Sequence, residues 1–270
     1  MERNRPCTAP KPERRRMNLL TTITPADAAL VAAAFILGGM VKGALGFGLP
    51  LTTMAILPFF VPVDAALAVN VVVLFLTNIA QFLQMGQMRE TATRFAPVLW
   101  GIAIGVPLGT AMVSAFSDEF LLLALGAVVV TFSALSLSSV NLGLRPSQER
   151  PAGWIAGISG GIVGALTTVG GPLFVMYLVG LRVERREFLS ALSLFFILSA
   201  VLVSGAFLLV GLFTPERLFL AAVALPAAIA GMWLGNRMAA YVPAHRFRAL
   251  VLVVLGCLGL NLLWRGISGG

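Results

Sequence analysis

Gly43-Ala44-Leu45-Gly46-Phe47-Gly48-Leu49-Pro50-Leu51 and Gly164-Ala165-Leu166-Thr167-Thr168-Val169-Gly170-Gly171-Pro172-Leu173 are two versions of one string. Each opens Gly-Ala-Leu, passes through glycines and closes on Pro-Leu. The offset is 121 before the glycines (43 to 164) and 122 after them (50 to 172). Each string lies inside an apolar run too long for one straight membrane crossing. Residues 27–63, interrupted within by Lys42, would extend ~55 Å as a single helix, and residues 151–181 ~46 Å. The hydrocarbon core is only ~30 Å thick. Both runs must break, tilt strongly or fold back, and each carries its Gly-Pro cluster where a break is needed. Glycine lets the backbone turn, and proline suits the first turn of a resumed helix.

Working outward, short charged breaks divide the remaining chain into the runs 65–88, 95–117, 120–144, 188–215, 218–236 and 249–264. Each is long enough for one crossing. Hydrophobic residues make up 59% of the chain and charged residues 11%, with a mean hydropathy of +0.95. A soluble domain needs far more charge to cover its surface. The expected fold is therefore an all-α polytopic membrane helix bundle. Gly105 and Gly109 also match Gly231 and Gly235 in the later part of the chain. The pattern is an internal duplication, with a first membrane repeat over 27–144 and a second over 151–266.

Two arrangements are open. If both long runs are hairpins, the bundle has ten elements and inverted halves. The basic loops 89–94, 145–150, 182–186 and 237–248 then share the cytoplasmic face, as short Lys/Arg-rich loops do. If each long run crosses once, the bundle has eight spans and parallel halves. The tail 1–26 is basic, Pro-rich and expected to be disordered. Placed outside, it conflicts with the hairpin arrangement, and a true start at Met17 removes the conflict. The run that follows the tail is longer than a signal-peptide core and lacks a small-residue cleavage site, so it reads as a retained membrane segment.

The residue inventory excludes several functions. The formal charge of +8 sits in short loops and the tail, which argues against nucleic-acid binding. Cys7 and Cys257 make no disulfide framework, and His245 beside Arg246 and Arg248 reads as a loop residue. No Walker A, HExxH or zinc spacing occurs, and no cofactor or metal is expected. The glycines from Gly157 to Gly164 lack the βαβ context of a dinucleotide loop. Every acidic residue lies at the end of a run, so no carboxylate is placed for a proton relay within the membrane. An intramembrane enzyme would need such groups.

Lys42-Gly43-Ala44-Leu45-Gly46-Phe47-Gly48, followed by Asp64-Ala65-Ala66-Leu67-Ala68-Val69-Asn70, resembles the sulfite exporter TauE/SafE family of membrane permeases. Gly157 to Pro172 resembles the second copy of the same motif, and the likeness runs from about residue 28 to 265. The resemblance implies export or uptake of a small sulfur-containing or organic anion, such as sulfite or a sulfonate. The copies differ where Thr167 and Thr168 replace Gly46 and Phe47, so their contacts with a solute need not be equivalent.

The chemistry of a helix break supports the same direction. A resumed half-helix begins with free backbone N–H groups. Those groups and the helix dipole attract anions, and repeat transporters place such breaks around their substrate. Lys42 is the one basic residue within the first long run; it either pairs with an anion or reaches to the interface. Asn70, Thr77, Asn78, Gln81 and Gln84 form a polar stripe on one helical face. Asn70 and Asn78 are read as lining the path. Ser190, Ser193 and Ser199 in the matching run are read as bonding their own helix. Gly101, Gly105, Gly109, Gly231 and Gly235 are read as close-packing residues. The candidate substrate-binding residues are Lys42, Gly46, Gly48, Asn70, Asn78, Thr167, Thr168, Gly170 and Gly171, expected to converge on one cavity between halves that rock against each other. The expected function is a secondary transporter for a small anion, multi-pass in the inner (plasma) membrane. A homo-oligomer is left open, and the alternative is an accessory membrane subunit without transport activity.

Overall fold

A computed structural model describes residues 25–85, 88–113, 118–137, 143–239, 241 and 244–268. The tail 1–24, with Cys7 and Met17, lies outside them, as do the side chains of Asp118 and His245. The described residues are helical, without strands. In chain order they form α1 (Pro25–Leu45), α2 (Leu49–Ile56), α3 (Val63–Met85), α4 (Met88–Arg94), α5 (Ala96–Val113) and α6 (Asp118–Leu137). Then come α7 (Glu149–Thr167), α8 (Gly171–Gly180), α9 (Arg185–Leu209), α10 (Pro215–Met238) and α11 (Ala244–Ser268). Six of the described helices are long and apolar enough to cross a membrane: α1, α3, α6, α9, α10 and α11. The stretch 89–94, expected as a loop, lies wholly within the short helix α4.

Both long apolar runs break at their Gly-Pro strings and fold back as hairpins. In the first, Gly46 and Gly48 take φ of 86° and 100°, a region open to glycine at little steric cost. α2 then returns along α1, with Thr53 and Leu49 against Gly38 and Gly48 against Val41. In the second, α7 ends at Thr167 and α8 returns along it, with the Phe174 ring against Gly160 and the Tyr177 hydroxyl beside Gly153. Pro50 and Pro172 sit in the first turns of α2 and α8, where no amide proton is needed.

Two faces result. On one, Arg94 pairs with Glu149 and Glu187, Arg186 donates to the Met85 carbonyl, and the Leu144 N–H donates to Gly180. On the other, Asp64 at the start of α3 pairs with Arg217 at the start of α10. There Arg265 donates to the Pro58 carbonyl and stacks on Phe59.

The packing crosses between the halves. α1 lies on α10 and α5 on α7, while α3 packs on α9 and α6 on α11. In the first two pairs backbone meets backbone. A Cβ on Gly231 or Gly235 would collide with the carbonyls of Ile36 and Met40, and one on Gly105 with that of Ile158. Small residues permit this closeness where lipid gives helices no hydrophobic reason to associate. α3 is the most buried of the six long helices. All four tryptophans (Trp100, Trp154, Trp233, Trp264) are exposed on the outside, as in the aromatic belts of membrane proteins.

Candidate functional site

α3 runs past both helix breaks, and its buried amides meet them at two levels. Asn70 and Asn78 are eight residues apart, about 12 Å along the helix. The candidate residues thus form two clusters rather than one cavity.

The first cluster lies at the α1–α2 break. Lys42 is 2% exposed, so it does not reach to an interface. Its Nζ donates to Asn78 Oδ1 at 2.6 Å, and Asn78 Nδ2 donates to the Leu74 carbonyl at 2.7 Å. Gln81 Nε2 donates to the Gly46 carbonyl at 3.0 Å, while Gln81 Oε1 is buried without a partner. The amide of Gln81 therefore covers the carbonyl end of α1. Gln84 is exposed, so the polar stripe stops at Gln81. Thr77 uses its hydroxyl on the Val73 carbonyl of its own helix.

The second cluster lies at the α7–α8 break. Asn70 is fully buried; its Nδ2 donates to Thr168 Oγ1 at 2.7 Å, and its Oδ1 lies 2.8 Å from the Thr53 hydroxyl. One amide thus links the first returning helix to the second break. Thr168 has φ of 57°, uncommon for any side chain and strained for a β-branched one. Thr167 is engaged locally: its hydroxyl donates to the Val163 carbonyl and accepts the Val169 N–H. Gly170 has an ordinary φ of −70°. It is glycine for closeness instead, because a Cβ there would meet the Gly160 carbonyl, and one on Gly171 the Phe196 ring.

The second break keeps free donors. Among the described residues no acceptor meets the backbone N–H of Gly170 or Gly171, which open α8. A cavity of ≈ 10 Å³ lies beside Gly170, bordered also by Gly164, Thr168, Phe174, Phe196 and Ser199. That is about the room of one water molecule. Ser199 Oγ is buried there with no partner, and Ser193 Oγ is likewise unpaired. A hydroxyl deprived of water and of any partner costs about 1–3 kcal/mol. Of the three serines read as bonding their own helix, Ser193 and Ser199 are thus left open, and Ser190 meets the Thr91 hydroxyl at 2.9 Å. Thr53 and Ser199 were not among the candidate residues. Serine and threonine are common in membrane helices, and no feature of their spacing separates these two.

Membrane-depth backbone breaks are tolerated where they are buried in protein or line a cavity. An all-helical bundle with two such breaks beside spare buried donors falls in the class of polytopic membrane transporters. The chain belongs to the sulfite exporter TauE/SafE family, whose profile matches residues 30–262. It is also similar to a probable inner membrane transporter protein, TsaS, of Comamonas testosteroni. The two are 27% identical over 178 residues, which cover 62% of this chain and 72% of the relative. No solved structure matches the chain.

Proposed function

We propose that the chain is a secondary transporter for a small anion, sulfite or a sulfonate being the first candidates, and that it acts in the inner membrane. One observation carries the reading: Gly170, whose N–H is free among the described residues, and the unpaired Ser199 hydroxyl border the same buried cavity, with the free N–H of Gly171 next in the chain. These donors are neutral, fixed by the fold and shielded from water. They can hold an oxyanion by hydrogen bonds, assisted by the positive end of the α8 dipole. The family and the relative's name support transport and location. Repeats over 27–144 and 151–266 give the two pseudo-equivalent breaks. The second would be the binding site, and Thr168, strained and bonded to Asn70, would position its hydroxyl at the site's edge.

The present cavity is too small for a multi-atom solute, so it corresponds to a closed state that must widen to load. The test is flux of sulfite, methanesulfonate, sulfoacetate and acetate in proteoliposomes holding the full chain. Wild type is expected to move at least one sulfur oxyanion. Gly171→Val, which drives side-chain bulk against the Phe196 ring at the cavity wall, is expected to abolish that flux in a protein that still inserts and purifies as a single species. A chain that moves none of the panel would overturn this reading and favour an accessory role.

A further inference from the structure

Lys42 is among the largest fully buried side chains of the molecule. An ammonium carries three donors, yet among the described residues the one partner its Nζ finds is the neutral oxygen of Asn78. Among the described residues no carboxylate pairs with it. α2 contains no ionisable residue. α3 offers Asp64, at the far end and paired with Arg217. α10 offers Glu216 and Arg217 at that same far end, and Arg237, which stacks on Trp233. α11 offers Cys257 and Arg265; the side chains of His245, Arg246 and Arg248 lie outside the description. α9 touches Gly46 through Leu189 and starts with Arg185, Arg186 and Glu187. Of these, Arg185 is exposed, Arg186 bonds the Met85 carbonyl and Glu187 pairs with Arg94. α6 starts with Asp118 and Glu119, and the Glu119 carbonyl lies against Gly266, beside the Arg265 that bonds Pro58.

A permanent cation in this position, with one neutral hydrogen bond, is strongly disfavoured. Two events relieve it: loss of the proton, or arrival of an anion. They are linked: an anion at the second break, about 12 Å along α3 from the Lys42 cluster, still favours the charged form of the amine, because charges across water-free protein are weakly screened. By reciprocity, the proton favours the anion.

We propose that Lys42 is the proton carrier that couples transport, binding one proton from water when the anion loads and releasing it to water when the anion leaves. The amine, RNH2, takes H+ to become RNH3+ on the loading side, and the reverse occurs on the other. One N–H bond forms and the same bond breaks, with no oxidation. Loaded and empty carriers are then both electrically neutral in this region, and anion and proton move together. A spare acceptor stands ready: Gln81 Oε1, unpaired and buried, lies one turn beyond Asn78 on the same face of α3. The device is single. The residue that matches Lys42 at the 121-residue offset is Val163, and the second break instead keeps free donors. The inference rests on the reading of the cargo as an anion.

The test uses the full chain in proteoliposomes, with voltage clamped at zero and methanesulfonate, which does not itself titrate near neutral pH, as probe beside sulfite and sulfoacetate. With the outside one pH unit more acid, wild type is expected to accumulate the anion to about tenfold, the limit of one-to-one coupling, while a trapped pH dye reports acidification. Lys42→Arg, which stays charged, is expected to keep exchange of internal for external anion but to lose gradient-driven accumulation. Lys42→Met is expected to lose accumulation, and Lys42→Gln, which keeps a donor for Asn78, serves should the Met variant misfold. Anion flux that ignores the gradient and leaves the dye unchanged would overturn the coupling while leaving transport intact. So would gradient-driven accumulation by Lys42→Gln or Lys42→Met. Failure of every anion to move would overturn the transport reading and this inference with it.

Discussion

At Asn70 the two ends of a single amide join α2 to the α7–α8 break through Thr53 and Thr168. Removing it takes one partner from each of two buried hydroxyls, which keep backbone carbonyls, those of Leu49 and Thr167, in a water-free layer. Asn70→Ala is expected to destabilise the protein by about 1–3 kcal/mol, read as a lower melting temperature in detergent. Thr77→Ala, whose hydroxyl serves only its own helix, should shift melting much less. Equal shifts would mean that Asn70 bridges nothing of consequence. Asn70, Asn78 and Lys42 stood out in the sequence because an amide or ammonium in an apolar run is an anomaly that demands a partner. Ser199 did not, because a serine in a membrane helix ordinarily bonds the carbonyl one turn back. Its lack of a partner is a property of the packed helices around it. The role of Gln81 was hidden likewise, since its partner is a carbonyl freed only when α1 ends at Leu45.

Helix breaks were legible at the level of elements, because length alone forbids a straight helix of 37 residues (27 to 63) inside a membrane. The close-packing glycines were legible too, from their spacing of four. Which helices they join was not, since spacing on one helix says nothing about its partner. Gly105 presses on Ile158 of α7 and Gly235 on Met40 of α1. Gly105→Val and Gly235→Val should therefore act alike, as overpacking that costs about 1–3 kcal/mol or more, and should lower the yield of monodisperse protein. Gly205, with open space around its α-carbon, is the control: Gly205→Ala is expected to leave yield unchanged or improved.

Over the whole molecule, the halves of the sequence are not the packing units. Rocking one half on the other, the motion that duplication suggests, would separate α1 from α10 and α5 from α7, the pairs with backbone in contact. Any opening is better carried by these pairs moving as rigid bodies about the α3–α9 contact. The faces make a further expectation. Thr93, Gln148 and Glu184 lie on the Arg94 face and Glu216 on the Asp64 face. In a background with both Cys7→Ser and Cys257→Ser, single cysteines at the first three positions should react with an impermeant thiol reagent only from the basic-loop side, expected to be cytoplasmic. A cysteine at Glu216 should react only from the opposite side. Reaction of the Glu184 cysteine from the Glu216 side would rule out the shared face. The α1–α10 pairing also sets a timetable for biogenesis. Ile36 meets Gly231, whose codon comes 195 positions later. At about 5–20 residues per second, α1 waits roughly 10–40 s after synthesis for the helix it fits. Throughout that interval the ribosome holds a chain whose first lysine-bearing hairpin lacks its mate, which makes this hairpin the point where the insertion machinery or a lipid-side chaperone has the longest hold.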